Sequence, residues 1–342
     1  MFQKIVVVLF FFSFYSKLQA QTIQSLSTLP KISFRGLSVV DDETIWVSGS
    51  QGTIGRSTNS GKTWSWMKIP GFEKREFRDI EAFDSLTALV IAIAEPAYIL
   101  KTKDGGSTWR PVFYDTTKGM FLNAMDFVND SIGVVVGDPI NGKAFIHVTK
   151  DGGETWKDIE TEVGLPKPKL AEGEAFFASS GSNIKLMWNT PLKRFDFIYV
   201  TGGKKSRLFV DGVPLEIPII QGLESTGANS LDITPNYEGI LVGGDFSKDS
   251  VSTNNCVLFN FKGGPKFFAP TVPPKGYKSS VTFLNRKFVV CCGTSGVDFS
   301  KDGGKTWKQI SKESFHVVQK AKNGGAVYLA GSNGKVSRFW AK

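Results

Sequence analysis

The chain has 342 residues, 41% of them hydrophobic and 21% charged, so it can bury a large core and is not a disordered segment. Its formal charge is +9, but the 41 Lys and Arg are spread along the whole chain. That spread argues against a nucleic-acid platform and for a solvated basic surface with a weak pull on anionic partners. Two histidines, His147 and His316, and the lack of any Cys-x-x-Cys exclude a zinc site.

The first twenty residues stand apart. Lys4 precedes the apolar run Ile5 to Phe12, and the segment ends on the small residue Ala20, the pattern of an export signal. The run is short for a membrane span of roughly 20 residues. Cleavage after Ala20 is expected, leaving Gln21 first and lowering the formal charge from +9 to +7 by loss of Lys4 and Lys17. An uncleaved anchor is the other reading. A lipid anchor is not expected, because no cysteine lies near Ala20.

Short strands follow, one after another. A lone strand is predicted around Ile23 to Ser27. Four more make the first repeat: Phe34–Val39, Thr44–Gly49, Gly52–Ser57 and Trp64–Ile69. New copies begin near Phe77 and Phe121. A fourth is expected from Ala175-Phe176-Phe177 to Asp211, and a fifth contains Gly239 to Asp245. A sixth leads from Ser280–Phe283 to Trp307. The seventh has three strands, at Phe315–Ala321, Ala326–Ala330 and Lys335–Trp340, so the spare strand near Ile23 is expected to complete it. Proline-rich stretches at 166–168 and 270–274 read as loops between repeats.

Four octapeptides mark the period: Ser57 to Trp64, Thr102 to Trp109, Thr149 to Trp156 and Ser300 to Trp307. Their starts lie 45, 47 and 151 residues apart, the last interval leaving room for two degenerate copies. Each reads as a hairpin in which Asp accepts from nearby N–H groups, Gly takes positive φ and Trp covers the turn. A calcium loop would need further acidic ligands that are missing. The expectation is an all-β, seven-bladed β-propeller of four-stranded antiparallel blades, closed by the N-terminal strand and forming one domain over residues 21–342.

Cys291 and Cys292 adjoin in an apolar strand, so they face opposite sides. Together with Cys256 they read as buried thiols, with a bridge from Cys256 to one of them left open. Blade topology puts the octapeptides on one rim. On the other rim, loops between strands two and three supply Glu95, Asp138, Lys204, Arg207 and Asp245. Crossings between blades supply Arg35, Arg78, Glu174, Tyr277, Lys278 and Ser279. Mixed charges converging on a propeller mouth suit a polar or charged ligand, and the competing reading is a ring of solvated loop charges. Gly202-Gly203 and Gly243-Gly244 either bring backbone close to a ligand or simply turn.

The octapeptides resemble the Asp-box (BNR) repeats of sialidases and related propellers. The stretches Ser33 to Ser38, Glu95-Pro96-Ala97, Gly137 to Ile140, Gly173-Glu174-Ala175, Thr201-Gly202-Gly203, Gly243-Gly244-Asp245 and Gly276 to Ser280 resemble the photosystem II stability/assembly factor-like propellers, whose exported bacterial relatives are often labelled oxidoreductase. This resemblance implies a seven-bladed propeller that binds or assembles other proteins. No dinucleotide, haem or flavin signature accompanies it, so no cofactor is expected. The primary expectation is a monomeric, non-catalytic, exported scaffold for a protein or peptide. Two alternatives stand beside it. One is a sialidase-type hydrolase using Arg35, Arg207, Arg286, Glu174 and Tyr277, although Phe34-Arg35-Gly36-Leu37 departs from the sialidase Phe-Arg-Ile-Pro and Arg286 falls on the octapeptide rim. The other is carbohydrate binding on Trp46, Trp66 or Trp188, set against packing of those rings between blades.

Overall fold

The computed structural model describes residues 21–177 and 179–341, and the expected export signal lies outside them. Seven antiparallel sheets follow one another, most with their strands neighbouring in chain order. Blade one, for example, is Phe34–Val39, Ile45–Gly49, Thr53–Ser57 and Ser65–Lys68. First strands of consecutive blades touch all round the ring, including those of blades seven and one. Blade seven is Val317–Lys320, Val327–Ala330 and Val336–Trp340, and Thr22–Ser27 supplies its fourth strand, with Ile23 opposite Phe339. Closure through the N-terminal strand protects two edges that would otherwise be open.

One expectation is corrected. Blade four starts at Ile184–Asn189, not at Ala175-Phe176-Phe177. Glu174–Ala175 instead pairs with Gly202–Gly203, and Gly202 pairs with Gly227 of blade five, which extends that sheet to six strands. A run of buried aromatics looks like a strand whether it lies in a blade or in a crossing.

Alternation builds the core. Both faces of a blade are covered, so successive residues of a strand enter different interfaces. Ile45 and Val47 join the cluster between blades seven and one, and Trp46 joins the cluster between blades one and two. Cys291 and Cys292 divide in the same way between two clusters, and all three cysteines are buried and free.

The innermost strands need other partners, because radial sheets leave their axial edges unpaired. Side chains from the preceding blade supply the acceptors. Ser38 Oγ accepts from Ala82 N–H at 3.0 Å, Asp79 from Met125 at 2.8 Å and Asp126 from Leu186 at 2.7 Å. Ser230, Asp232 and Ser280 accept from Val281, Phe283 and Val318. Buried N–H groups left without such partners would each destabilise the fold by roughly 1–3 kcal/mol.

The octapeptide hairpins are closed locally. In all four, the fifth-position Gly N–H donates to the Ser or Thr that opens the segment, at 2.8–3.0 Å. The Thr N–H donates to the Asp or Asn carboxyl or amide oxygen at 2.9 Å. The indoles of Trp64, Trp109 and Trp307 donate back to that glycine's carbonyl, while Trp156 leaves its N–H unpaired.

The Thr108 hydroxyl, then the Thr108 N–H, pull Asp104 down to about 2 from its usual 3.8. A lowered folded-state pKa stabilises the protein above the unfolded value, and this stabilisation is lost as pH falls through the folded one. The melting temperature is therefore expected to drop more steeply between about pH 4 and pH 2 in the native protein than in Asp104→Asn. Parallel curves from differential scanning calorimetry would remove that role.

Candidate functional site

The mouth is made by a repeated local defect. In blades one, two, three and five the pairing of the first two strands slips by a residue, at Phe34/Gly36, Phe77/Asp79, Leu122/Ala124 and Ala228/Ser230. The residues inside the slips are Arg35, Arg78, Asn123 and Asn229. A bulge bends its strand and re-aims the side chain. Ser279 and His316 occupy the matching places just before the first strands of blades six and seven. Arg35, Arg78, Asn123, Ser279 and His316 line a cavity of about 370 Å³, together with Asp138, Tyr277 and the rings of Phe121, Phe176, Phe177 and Phe246.

Cations stand on one side of this cavity. Arg35 has a long bond to the Ser179 carbonyl at 3.4 Å and, among the described residues, no carboxylate partner. Burial, and then the neighbouring Arg78, lower its pKa. Arg78 is held by Glu76 at 2.9 Å and lies over the Phe121 ring. Burial, with Arg35 and Arg78, drives His316 down to about 3, so its ring is neutral at physiological pH and bonds Ser332 at 2.9 Å. Asp138 is the one carboxylate lining the cavity among the described residues. Burial raises it to about 6, against the opposing effect of the Asn123 amide at 3.0 Å and the Phe176 N–H at 3.2 Å. The Tyr277 hydroxyl donates to Asn229 Oδ1 at 2.8 Å, and burial raises it to about 12.

The remaining rim residues named from sequence are committed elsewhere. Glu174 is buried and takes the Arg207 guanidinium on both oxygens, with the Thr201 hydroxyl donating at 2.6 Å. Asp245 caps its own turn through Ser247 N–H and Oγ, at 2.9 and 2.7 Å. Glu95 accepts from Gly119 N–H, and exposed Lys204 approaches Glu224 at 3.7 Å. Lys278 is 0% exposed: its ammonium meets Asp298 at 2.7 Å, Ser295 Oγ at 2.9 Å and the Gly296 carbonyl at 3.0 Å. Alternation sends Tyr277 and Ser279 to the cavity and Lys278 into the blade. The buried pair thus fixes the segment that presents them.

Arg35, Arg78, Asp138 and Tyr277 therefore come together, whereas Glu95, Glu174, Arg207, Asp245 and Lys278 serve internal bonds. The aromatic wall was not foreseen. Phe246 is 51% exposed and stands edge-on to Tyr277 and Phe177. The signal was its place directly after Gly243-Gly244-Asp245. Those glycines bring backbone against backbone: a Cβ on Gly243 would lie 1.8 Å from the Gly227 carbonyl, and one on Gly203, at φ +105°, would lie 2.1 Å from that of Gly173. Trp46 is fully buried and Trp66 stacks on Phe34, but Trp188 is 48% exposed. Arg286 lies beside Asp302 and Gly303, on the hairpin rim.

No family model and no curated protein matches the chain. Solved structures share its fold. YCF48 bound to a D1 peptide is 15% identical, with 95% of this chain and 98% of that one covered at a TM-score of 0.65. YCF48 from Cyanidioschyzon merolae is 15% identical over 93% and 98% of the two chains, with a TM-score of 0.62. The WD40 β-propeller domain of Doa1 is 14% identical over 94% and 98%, with a TM-score of 0.61. The chain is thus a seven-bladed propeller resembling YCF48.

Lys278→Met leaves Asp298 buried without its cation, and a loss of about 3–5 kcal/mol is expected in urea unfolding. Adding Asp298→Leu should recover most of it, since an apolar pair replaces an ion pair. If the double variant is no more stable than the single one, the ion pair is not what holds this segment.

Proposed function

We propose that the chain is an exported, non-catalytic scaffold whose mouth holds an acidic segment of a partner protein. The observation that carries this reading is Arg35: a guanidinium half enclosed among aromatics, beside a second arginine, without an acidic partner of its own. A carboxylate is the group that such an arrangement takes best, by charge-assisted, bidentate hydrogen bonds. Phe246 and the partly exposed Phe177 offer apolar surface for the neighbouring side chains. YCF48 with a D1 peptide supports the reading, because a propeller of this fold there accommodates a peptide. The hairpins are read as Asp boxes that serve folding, and residues 1–20 as the export signal.

One observation favours a hydrolase of the sialidase type: the raised pKa of Asp138 suits a general acid. A glycosidase of the usual kind also needs a second carboxyl group or an activated nucleophile facing the same bond. Glu174 is closed off by Arg207, and the Tyr277 hydroxyl bonds an amide and a serine rather than a carboxylate. Binding without cleavage is the better account.

The test uses immobilised acidic peptides beside copies with Asp and Glu replaced by Asn and Gln. The acidic set is expected to bind selectively, and Arg35→Ala with Arg78→Ala to weaken it about thirtyfold or more. Equal capture by both sets, or unchanged affinity in the double variant, would contradict the reading.

Asp138 gives a pH signature. Its raised pKa keeps it neutral below about 6, and ionisation above that adds a negative charge beside the incoming carboxylate. Affinity for an acidic peptide is expected to fall from pH 5 to pH 8 in the native protein and to stay flat in Asp138→Asn. Calorimetric titration at several pH values checks this.

A further inference from the structure

The four octapeptide hairpins also fill the junctions between blades. Trp64 joins the cluster between blades seven and one, Trp109 that between one and two, Trp156 that between two and three, and Trp307 that between five and six. Each hairpin leans on the preceding blade: Gly153 lies against Leu89, Gly304 against Ile240, and the Gly152 carbonyl accepts from Lys101 at 2.7 Å. In each case the guest at a junction is a polar turn that carries an indole.

Blade four brings no such guest to the junction with blade three. Its last hairpin is the two-residue turn Asp211-Gly212, at φ +51° and +81°, with Val210 paired directly to Val213. A cleft of about 420 Å³ is left there, walled by Val148, Val163, Leu165, Trp188 and Phe195. Val163 is 42% exposed, and Trp188 keeps nearly half of its surface in solvent while packing on Phe195 at 4.9 Å. The rim is cationic. Lys150 and Lys157 share Glu162 at 2.8 and 3.3 Å, and Arg194 bonds Asp211. Lys193 is exposed and, among the described residues, forms no ion pair. Asp196 also lies 3.7 Å from Arg194, so four cations face three carboxylates.

From this geometry we infer that the junction of blades three and four is a second docking site, separate from the mouth, for an acidic segment of a partner protein that inserts a large aromatic side chain. The four filled junctions show what this architecture accepts at such a place, and the exposed Trp188 supplies the surface for it to pack on. The surplus of positive charge favours an acidic segment. The inference does not depend on what the mouth binds.

The test is fluorescence anisotropy on the full purified chain carrying Arg35→Ala and Arg78→Ala, so that the mouth does not compete for acidic peptides, with a labelled peptide, Glu-Asp-Gly-Gly-Glu-Thr-Trp-Glu, beside a copy with Trp replaced by Ala. Saturable binding of the first and little of the second is expected. Trp188→Ala should weaken it at least about tenfold. Lys193→Glu, on the exposed turn joining the first two strands of blade four, should weaken it severalfold and reduce its salt sensitivity. The inference is overturned by no saturable binding, by equal binding of both peptides, or by unchanged affinity when Trp188→Ala and Lys193→Glu are added.

Discussion

A propeller turns one edge of every sheet toward a common axis, and those inner edges have no strand to pair with. In this chain the shortage of partners is met by side-chain oxygens one blade upstream: Ser38, Asp79, Asp126, Ser230, Asp232 and Ser280 each accept a backbone N–H from the next first strand. This stitching adds polar bonds at the axis to sheets that also meet through apolar side chains. It also places carboxyl groups deep in the channel, where burial raises Asp79 and Asp232 despite the N–H groups they receive. The axis is therefore polar, bonded and fixed.

A fixed axis allows the two rims to diverge. On one, each hairpin satisfies its own polar groups within eight residues and presses an indole into the junction behind it. On the other, the bulged first strands leave Arg35, Arg78 and Asn123 projecting into a shared space. Loops on a rigid support hold such groups at defined separations, which recognition requires and an isolated loop does not give. The Lys278–Asp298 pair belongs to this support rather than to the site, although it lies between two residues that line the cavity.

How far the sequence could be read depended on distance along the chain. The hairpins are local, so Thr102 to Trp109 announced their bonds before any fold was known, and their spacing carried the ring with it. The strand at Thr22–Ser27 was found by counting what blade seven lacked. The start of blade four was misplaced because Phe176 and Phe177 have the composition of a strand but lie in a crossing. At the mouth, the charged residues could be sorted by rim but not by partner. Nothing near Glu174 shows that Arg207 will close on it, and nothing near Lys278 shows that Asp298 waits in the next hairpin. Phe246 was passed over because apolar residues are read first as core.

The separation of a folding rim from a recognition rim is tested most directly by measuring stability and acidic-peptide affinity together in two variants, Asp302→Ala on one rim and Arg35→Ala on the other. The account predicts that Asp302→Ala lowers the unfolding free energy and leaves the affinity unchanged, while Arg35→Ala lowers the affinity and leaves the stability nearly unchanged. If either variant moves both quantities together, the division of labour between the rims is contradicted.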